Sequence, residues 1–460
     1  MLDNGAAIKL DDSVFHASWL WTSDPTYIHS TSGQRLRTPG QYPQSKIRSC
    51  QVVSACLDQL DSKGAVAPND PPPPPGCFHS LGGVYRTTHD EDHHEWHDRL
   101  LQVTWDTNEI SYYDLDWLAR CRYDTASLQR QYAQSKVTKE IALGAKHNKS
   151  CPQIPAFDYD AVMTRDDIIL QAFHGLNNQG AVLIENAAVG DDSEETVASL
   201  GKQFGGSLSH GALYGDIFHV QSSPNANNIA YTTVALPPHQ DLTYYESKPF
   251  LQLLHCVNHT HVVGGESVLI DALAAAEEFK LLAPDLYEVL TKTEATFLKQ
   301  REGGDMVSRK PHIVCNAEDV VTVNWSPPFE GPLAISPELV DDYFVAYSAL
   351  ERMLDNSVPP NLPTKLAPEL DRMLRDYAHE FTWEQDLQPG QILVFSNQRM
   401  LHGRRSFRMT DDTPSSGRHL IGCYTNVDET LSRYRLLLRE APDRDQHVVR
   451  NAGNGIRGSL

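Results

Sequence analysis

The residues best equipped for chemistry are His239-Gln240-Asp241, which follow Leu236-Pro237-Pro238 and precede Leu242-Thr243-Tyr244-Tyr245. In an extended segment, residues two apart project from the same face, so this imidazole and this carboxylate point the same way. They are two of the three ligands of the two-histidine, one-carboxylate facial triad, which holds iron(II) on one face and leaves the other positions open. The pattern is common by itself, so a third ligand must come from elsewhere. His402 is the candidate. Pro389-Gly390 turns into the apolar run 391–395, and Leu401-His402-Gly403-Arg404 then places a polar ring at the end of a buried strand. Arg418 stands just before a second apolar strand, 419–424. A guanidinium aimed into a core needs an anion, because an unpaired buried charge is prohibitively costly. The distal carboxylate of 2-oxoglutarate, held by a bidentate pair, would meet that need. His402 or Arg418 alone reads equally well as a satisfied core residue; the four together argue for a metal centre with a co-substrate pocket.

Such a constellation needs short strands to carry it and helices to brace them. Gly180-Ala181-Val182-Leu183-Ile184-Glu185 reads as a buried strand. Asp192-Ser193-Glu194-Glu195 opens a helix with an N-cap and a glutamate three residues on, and Gly205-Gly206 closes it. The runs 251–256 and 267–271 flank Gly264-Gly265 and read together as a hairpin. Ser336-Pro337-Glu338 starts another helix, whose apolar face runs through Leu339, Tyr343, Tyr347, Leu350 and Leu354. The fold class expected is mainly β with buttressing helices, and residues 155–440 form its dense part. Residues 1–140 read as a small β-rich N-terminal domain with strand-like runs at 14–21 and 101–105. Around Pro71 to Pro75 a mobile Pro-rich insertion is expected near 40–98, since such sequence cannot offset its ordering entropy. Residues 136–155 read as a linker and 441–460 as a flexible tail.

The hydrophobic share of 40% and charged share of 22% over 460 residues belong to an ordinary globular protein. A net charge of −21 repels phosphate backbones and anionic lipid, so nucleic acid and membrane are not expected as partners. The eight cysteines contain no C-x-x-C pair and read as thiols of a reducing compartment. With Asp3, Asp11 and Asp12 near the start and no long apolar run, a cytoplasmic protein is the expectation.

The segment 227–271 carries Asn227-Asn228-Ile229-Ala230-Tyr231, His239-Gln240-Asp241, Leu253-Leu254-His255-Cys256, Gly264-Gly265-Glu266-Ser267 and Ile270-Asp271. With Leu401-His402-Gly403-Arg404-Arg405-Ser406, it resembles the gamma-butyrobetaine hydroxylase and trimethyllysine hydroxylase family. These are taurine-dioxygenase-like Fe(II)/2-oxoglutarate oxygenases built on a double-stranded β-helix (jelly roll). The likeness is good over 155–440 and looser in the N-terminal half, through Ala17-Ser18-Trp19-Leu20, Val103-Thr104-Trp105 and Leu115-Asp116-Trp117-Leu118. It implies that a small-molecule substrate is hydroxylated at an unactivated aliphatic C–H bond by O₂ while 2-oxoglutarate becomes succinate. Ascorbate would serve as a supporting reductant, and a homodimer is compatible with the resemblance. His239, Asp241 and His402 would be the iron ligands and Arg418 the co-substrate anchor.

In that family a cage of aromatic rings surrounds a trimethylammonium group through cation–π attraction. By resemblance, Tyr214, Tyr231 and Tyr424 match its tyrosines, Phe218 stands where a tryptophan is usual, and Leu242 where a further tyrosine is seen. Asn228 matches an amide that binds the substrate carboxylate. The eroded cage points to gamma-butyrobetaine as a poor substrate and leaves open a divergent member that tailors a specialised metabolite. A non-catalytic β-helix scaffold is a further alternative, against which the complete triad and Arg418 argue. The family's N-terminal structural zinc has three cysteines and a histidine; here Asp24, Thr26, His29 and Glu109 fall near those positions, so no structural zinc is expected. His93 and His97 do not complete H-E-x-x-H, and Gly453-Asn454-Gly455-Ile456-Arg457-Gly458 is followed by too little chain to present a helix to a phosphate.

Overall fold

The computed structural model describes residues 1–24, 27, 34–56, 96–143, 154–211, 213–221, 229–301, 303–316, 319–359, 364–410, 417–442, 447–450 and 453. The chain divides into two compact units, 1–133 and 134–459. Among the described residues, no helix is long and apolar enough to cross a membrane.

In the first unit, Trp96–Trp105 is the middle strand of three, pairing antiparallel with Ile47–Cys56 and Ile110–Asp114. Ala7–Leu10 pairs with Ser13–His16. Trp105, Tyr113, Trp117, Leu20 and Phe15 close one buried cluster. The run at 14–21 is not one strand: Ser13–His16 is extended and Ala17–Thr22 is helical, which turns Leu20 and Trp21 inward. Regular structure also reaches into the range expected for the Pro-rich insertion, through Ile47–Cys56; residues 57–95 lie outside the described ones. Near the positions compared with the family's zinc ligands, Asp24 is buried and accepts a hydrogen bond from the Ser111 hydroxyl. Arg37 lies 4.2 Å over the Trp21 ring and 3.8 Å from the Glu109 carboxylate. Thr26 and His29 fall outside the described residues.

The second unit is strand-rich, with helices banked against it. Six strands form the larger sheet, in the order Ala156–Asp158, Ala181–Glu185, Ile392–Ser396, Leu251–Thr260, Gly417–Tyr424, Ile217–Gln221. A second sheet has the order Thr382–Gln385, Ser267–Asp271, Met400–Arg404, Leu236–His239. Alternation gives each strand two jobs. Leu251, Leu253, Ile421 and Cys423 join the core made with helices Asp166–Gln179, Ser193–Gly205 and Val427–Glu440. Gln252, Arg418 and Tyr424 line a cavity, and Leu254 and Leu420 belong to both its wall and that core. Val268, Ile270 and Leu401 of the second sheet pack in another core with helices Ala272–Leu282, Pro284–Lys292 and Val340–Leu354.

Four expectations need correction. Leu251–Thr260 and Ser267–Asp271 are not a hairpin: the first pairs with Ile392–Ser396 and Gly417–Tyr424, the second with Thr382–Gln385 and Met400–Arg404. Gly264 and Gly265, at φ 84° and 88°, carry the chain from one sheet to the other. In the helix after Ser336, Tyr343, Leu350 and Leu354 are buried but Leu339 is exposed, because the chain begins there as a 3₁₀ turn, Pro337–Leu339, and the helical face starts at Val340. Within the expected linker, Val137, Ala142 and Leu143 are buried apolar side chains of the second unit's cores. The expected tail is anchored where it is described: Val449 is buried, and the Arg450 backbone N–H donates to Asn177 Oδ1 at 2.7 Å.

Candidate metal centre and substrate pocket

Two strands of the second sheet bring the candidate ligands together. In the register between Leu236–His239 and Met400–Arg404, His239 lies opposite His402. Their rings are 4.3 Å apart between centroids. Gly403 permits this closeness, since a Cβ there would stand 2.7 Å from the Leu236 carbonyl oxygen. The His402 strand is pinned at its start by Arg399, fully buried, whose guanidinium pairs with buried Asp271 at 2.6 Å. It also donates to the carbonyls of Asn177 and Asn178. Asp241 follows the first strand, held through its backbone: Asn397 accepts from its N–H (2.8 Å) and donates to its C=O (3.0 Å). One side chain from the turn between Ile392–Ser396 and Met400–Arg404 thus ties the carboxylate segment to the strand pair that ends in His402.

One donor atom from each of His239, Asp241 and His402 lies within 4.8 Å of the other two. His239 Nδ1 faces the Pro237 carbonyl at 2.9 Å, and a carbonyl can only accept, so Nδ1 carries the proton and Nε2 presents its lone pair. That Nε2 is 3.4 Å from Asp241 Oδ1, and His402 Nε2 is 3.6 Å from Asp241 Oδ2. Oδ2 is already engaged, receiving the Tyr424 hydroxyl at 2.7 Å and the Gln252 amide at 2.9 Å. This leaves Oδ1 as the oxygen better placed to bind a cation. Burial presses the His402 pKa down to about 3, helped by the neighbouring His239, so this ring is neutral with a free lone pair. Burial opposes ionisation of Asp241, while the Tyr424 hydroxyl and the Gln252 amide, both donating to Oδ2, favour the carboxylate. Two imidazoles and one carboxylate, with both rings buried and all three groups converging, are a donor set that fits iron(II).

Around them lies a cavity of ≈ 860 Å³, its open mouth included, between the two sheets. Two arginines line it and differ in how they are satisfied. Arg404 donates to the carbonyls of Ala230 (2.9 Å), Thr232 (2.7 Å) and Val234 (2.6 Å), and so holds the segment before His239. Burial and then repulsion from Arg418 lower its pKa to about 10. Arg418 is 5% exposed, and its one hydrogen bond among the described residues is a long 3.3 Å contact to the Ser267 hydroxyl. Burial pushes its pKa down as well. A guanidinium left this short of partners inside a cavity is where an incoming carboxylate gains most.

The residues expected around the substrate are only partly a cage. Tyr214, Phe218, Tyr231, Leu242 and Tyr424 all line the cavity, with Phe329 and Pro328 in addition. Phe218 and Tyr424 stack on each other, centroids 4.9 Å apart at 24°, above Gly422, where a Cβ would meet the Phe218 ring at 2.3 Å. Tyr424 spends its hydroxyl on Asp241, so it positions the carboxylate as well as walling the pocket. Leu242 is buried with φ 58°, a left-handed backbone that a leucine adopts only under constraint from its surroundings. Asn228 falls outside the described residues. Sequence reasoning missed Asn397, Gln252 and Phe329. Asn397 stands in an ordinary turn, Ser396-Asn397-Gln398, and nothing in that string tells that its amide reaches back 156 positions.

The family model for "Taurine catabolism dioxygenase TauD, TfdA family" matches residues 143–424. The gamma-butyrobetaine dioxygenase of Pseudomonas sp. (strain AK-1) is 29% identical over 344 residues, covering 74% of this chain and 79% of that protein. The dioxygenase str8 of Strobilurus tenacellus is 27% identical over 347 residues, 73% of this chain and 74% of that one. The mitochondrial trimethyllysine dioxygenase of Bos taurus is 28% identical over 341 residues, 73% and 72% of the two chains. The family match takes in more than half of the chain, including both sheets of the second unit and every side chain converging on Asp241, and the chain therefore belongs to the taurine catabolism dioxygenase TauD, TfdA family.

Proposed function

We propose that this chain is an Fe(II)/2-oxoglutarate-dependent dioxygenase that hydroxylates an unactivated aliphatic C–H bond of a small molecule, on a second unit that is a double-stranded β-helix preceded by a small β-rich domain. The observation that carries the reading is the convergence of His239, Asp241 and His402 beside Arg418, a buried guanidinium with a single hydroxyl partner among the described residues. His239 and His402 would ligate through Nε2 and Asp241 through Oδ1. Iron(II) held there would activate O₂ for attack on the C–H bond, with one oxygen atom going to the substrate and the other to 2-oxoglutarate, which leaves as succinate and CO₂. The chain's own residues hold and shape. The Pro237 carbonyl fixes the His239 tautomer, and Asn397, Gln252 and Tyr424 fix the carboxylate. Arg418 receives the distal carboxylate of 2-oxoglutarate, which orients its other end toward the metal. Leu236, Leu242, Phe218 and Phe329 give the substrate an apolar, water-poor berth.

The test is succinate release from 2-oxoglutarate by the purified full chain with and without iron(II). Release that needs iron, and that is lost in His239→Ala, Asp241→Ala and His402→Ala, is expected. Equal release from a chelated, metal-free preparation would overturn the assignment.

A further inference from the structure

The hairpin of Glu294–Arg301 and Gly304–Pro311 packs beside the cavity, against the lining residues Tyr214, Leu242, Phe329 and Tyr424. Along its first strand, Ala295 and Phe297 face inward and join the cluster of Leu242, Tyr244 and Tyr424. By strand alternation, Lys299 and Arg301 stand on that same face, the first partly buried and the second exposed. The Lys299 ammonium lies 5.0 Å over the Phe329 ring, and the Arg301 guanidinium lies 4.9 Å over the Tyr214 ring. Both rings line the cavity.

These contacts reverse the meaning of the aromatic residues. A trimethylammonium group needs open ring faces. Here Tyr214 and Phe329 each give a face to a cation of the protein itself, and Phe218 and Tyr424 give faces to each other. The charge balance points the same way. Among the described residues lining the cavity, Asp241 is the one carboxylate, against Arg404 and Arg418. A divalent metal and dianionic 2-oxoglutarate would cancel one another and leave the cavity positive. Lys299 and Arg301, each over a ring that lines the cavity, add two further positive charges beside it, and among the described residues neither has a carboxylate within ion-pair reach. Half-buried and beside Arg301, Lys299 is pressed toward losing its proton, a cost that an anion lying between the two would relieve. All this occurs on a chain whose net charge is −21, so the basic spot runs against the general trend of the surface.

We propose that the pocket selects a substrate with an apolar body and a carboxylate, received by Lys299 and Arg301, and that it rejects a quaternary ammonium group. This rests on the oxygenase reading above and names the substrate class of that same pocket. The carboxylate end stays with these two cations while the apolar body lies along Leu242, Phe218 and Phe329 toward the metal side.

The experiment is calorimetric binding to the full chain loaded with 2-oxoglutarate and redox-inert zinc(II), using octanoate, octanamide and octyltrimethylammonium as matched probes. Octanoate is expected to bind roughly tenfold or more tightly than octanamide, with octyltrimethylammonium weakest. In Lys299→Gln/Arg301→Gln the preference for octanoate over octanamide should vanish, and in Lys299→Glu/Arg301→Glu the order of octanoate and octyltrimethylammonium should reverse. Binding of 2-oxoglutarate itself, measured on each protein, reports that the fold and the inner site are intact. Tightest binding of the ammonium probe, an octanoate preference that survives the double variants, or no binding of any probe while 2-oxoglutarate still binds would each overturn the proposal. Failure of 2-oxoglutarate to bind the unmodified protein would instead overturn the oxygenase reading.

Discussion

Replacing Arg418 with leucine should make the unliganded protein more stable and the liganded protein no more stable than that. Arg418 is 5% exposed and has one 3.3 Å hydrogen bond among the described residues, so without an anion it is a buried charge with most of its desolvation uncompensated. Exchanging such a group for an apolar side chain of similar volume typically stabilises by about 1–4 kcal/mol. Once 2-oxoglutarate is bound, the same change removes one partner of a buried ion pair, at a cost of roughly 3–5 kcal/mol, or about 150- to 5,000-fold in dissociation constant. Thermal unfolding reads both effects, with zinc(II) in place of iron to prevent turnover. At a 2-oxoglutarate concentration about 100 times its dissociation constant, the unmodified chain gains about 2.7 kcal/mol. At that concentration Arg418→Leu should gain roughly 0.3 kcal/mol or less, while starting from a higher melting point. Arg404→Leu is the contrast. Its guanidinium already serves three backbone carbonyls, so its loss should lower stability with or without the co-substrate. A lower melting point for ligand-free Arg418→Leu, combined with an undiminished 2-oxoglutarate shift, would refute the reasoning and move the anchor elsewhere.

Asn397→Ala removes both hydrogen bonds to the Asp241 backbone and should weaken metal binding about 10- to 100-fold, as loss of an outer partner of a metal ligand usually does. Metal titration of the apoprotein gives the answer, and an unchanged affinity would show that the strand pairing alone places Asp241. Gly403→Ala puts a Cβ 2.7 Å from the Leu236 carbonyl and should force the His239 and His402 strands apart, with overpacking of about 1–3 kcal/mol and a matching loss of metal affinity; wild-type affinity would mean that the strands can slide without separating. Burial raises the Glu330 pKa from 4.5 to about 7, despite the Tyr347 hydroxyl that it accepts. A carboxyl that holds its proton more tightly when folded costs stability as pH rises through this window, by up to about 3 kcal/mol, and costs nothing more above it. Glu330→Gln should flatten the fall in stability between pH 4.5 and about 7, and an identical slope in denaturant titrations would refute that origin.

The parts of the fold that were legible are those set by local pattern. Ala181–Glu185, Ile392–Ser396 and Gly417–Tyr424 each carry an apolar run of four or five residues, at 181–184, 392–395 and 420–424, and each is a strand of the larger sheet. What local pattern cannot carry is the choice of partner. Leu251–Cys256 and Ser267–Asp271 are buried on both faces, so alternation gave no sign that they belong to different sheets, and a Gly-Gly turn suits a sheet change as well as a hairpin. The spacing His239-x-Asp241 was visible because two ligands share one extended segment. His402 and Arg418 stood out because a polar ring and a charge interrupt buried strands.

The outer partners leave no such mark, and this follows from what they do. Asn397, Gln252 and Tyr424 reach Asp241 from the larger sheet and its turn, by contacts spanning 156, 11 and 183 positions. Each is an unremarkable polar or aromatic residue until the two sheets face each other, and only then does a hydroxyl or an amide meet a particular carboxylate oxygen. Tyr424 shows the consequence for function. Matched to a tyrosine of an aromatic cage, it suggests a cationic guest; seen with its hydroxyl on Asp241 and its ring stacked on Phe218, it serves the metal side first. The same holds at the cavity wall, where Tyr214 and Phe329 are as aromatic as a cage requires but are already capped by Arg301 and Lys299. Residue type sets what a side chain is able to bind, and the neighbours decide how much of that capacity remains. On that ground, a pocket of family aromatics can lose its preference for cations without losing its rings.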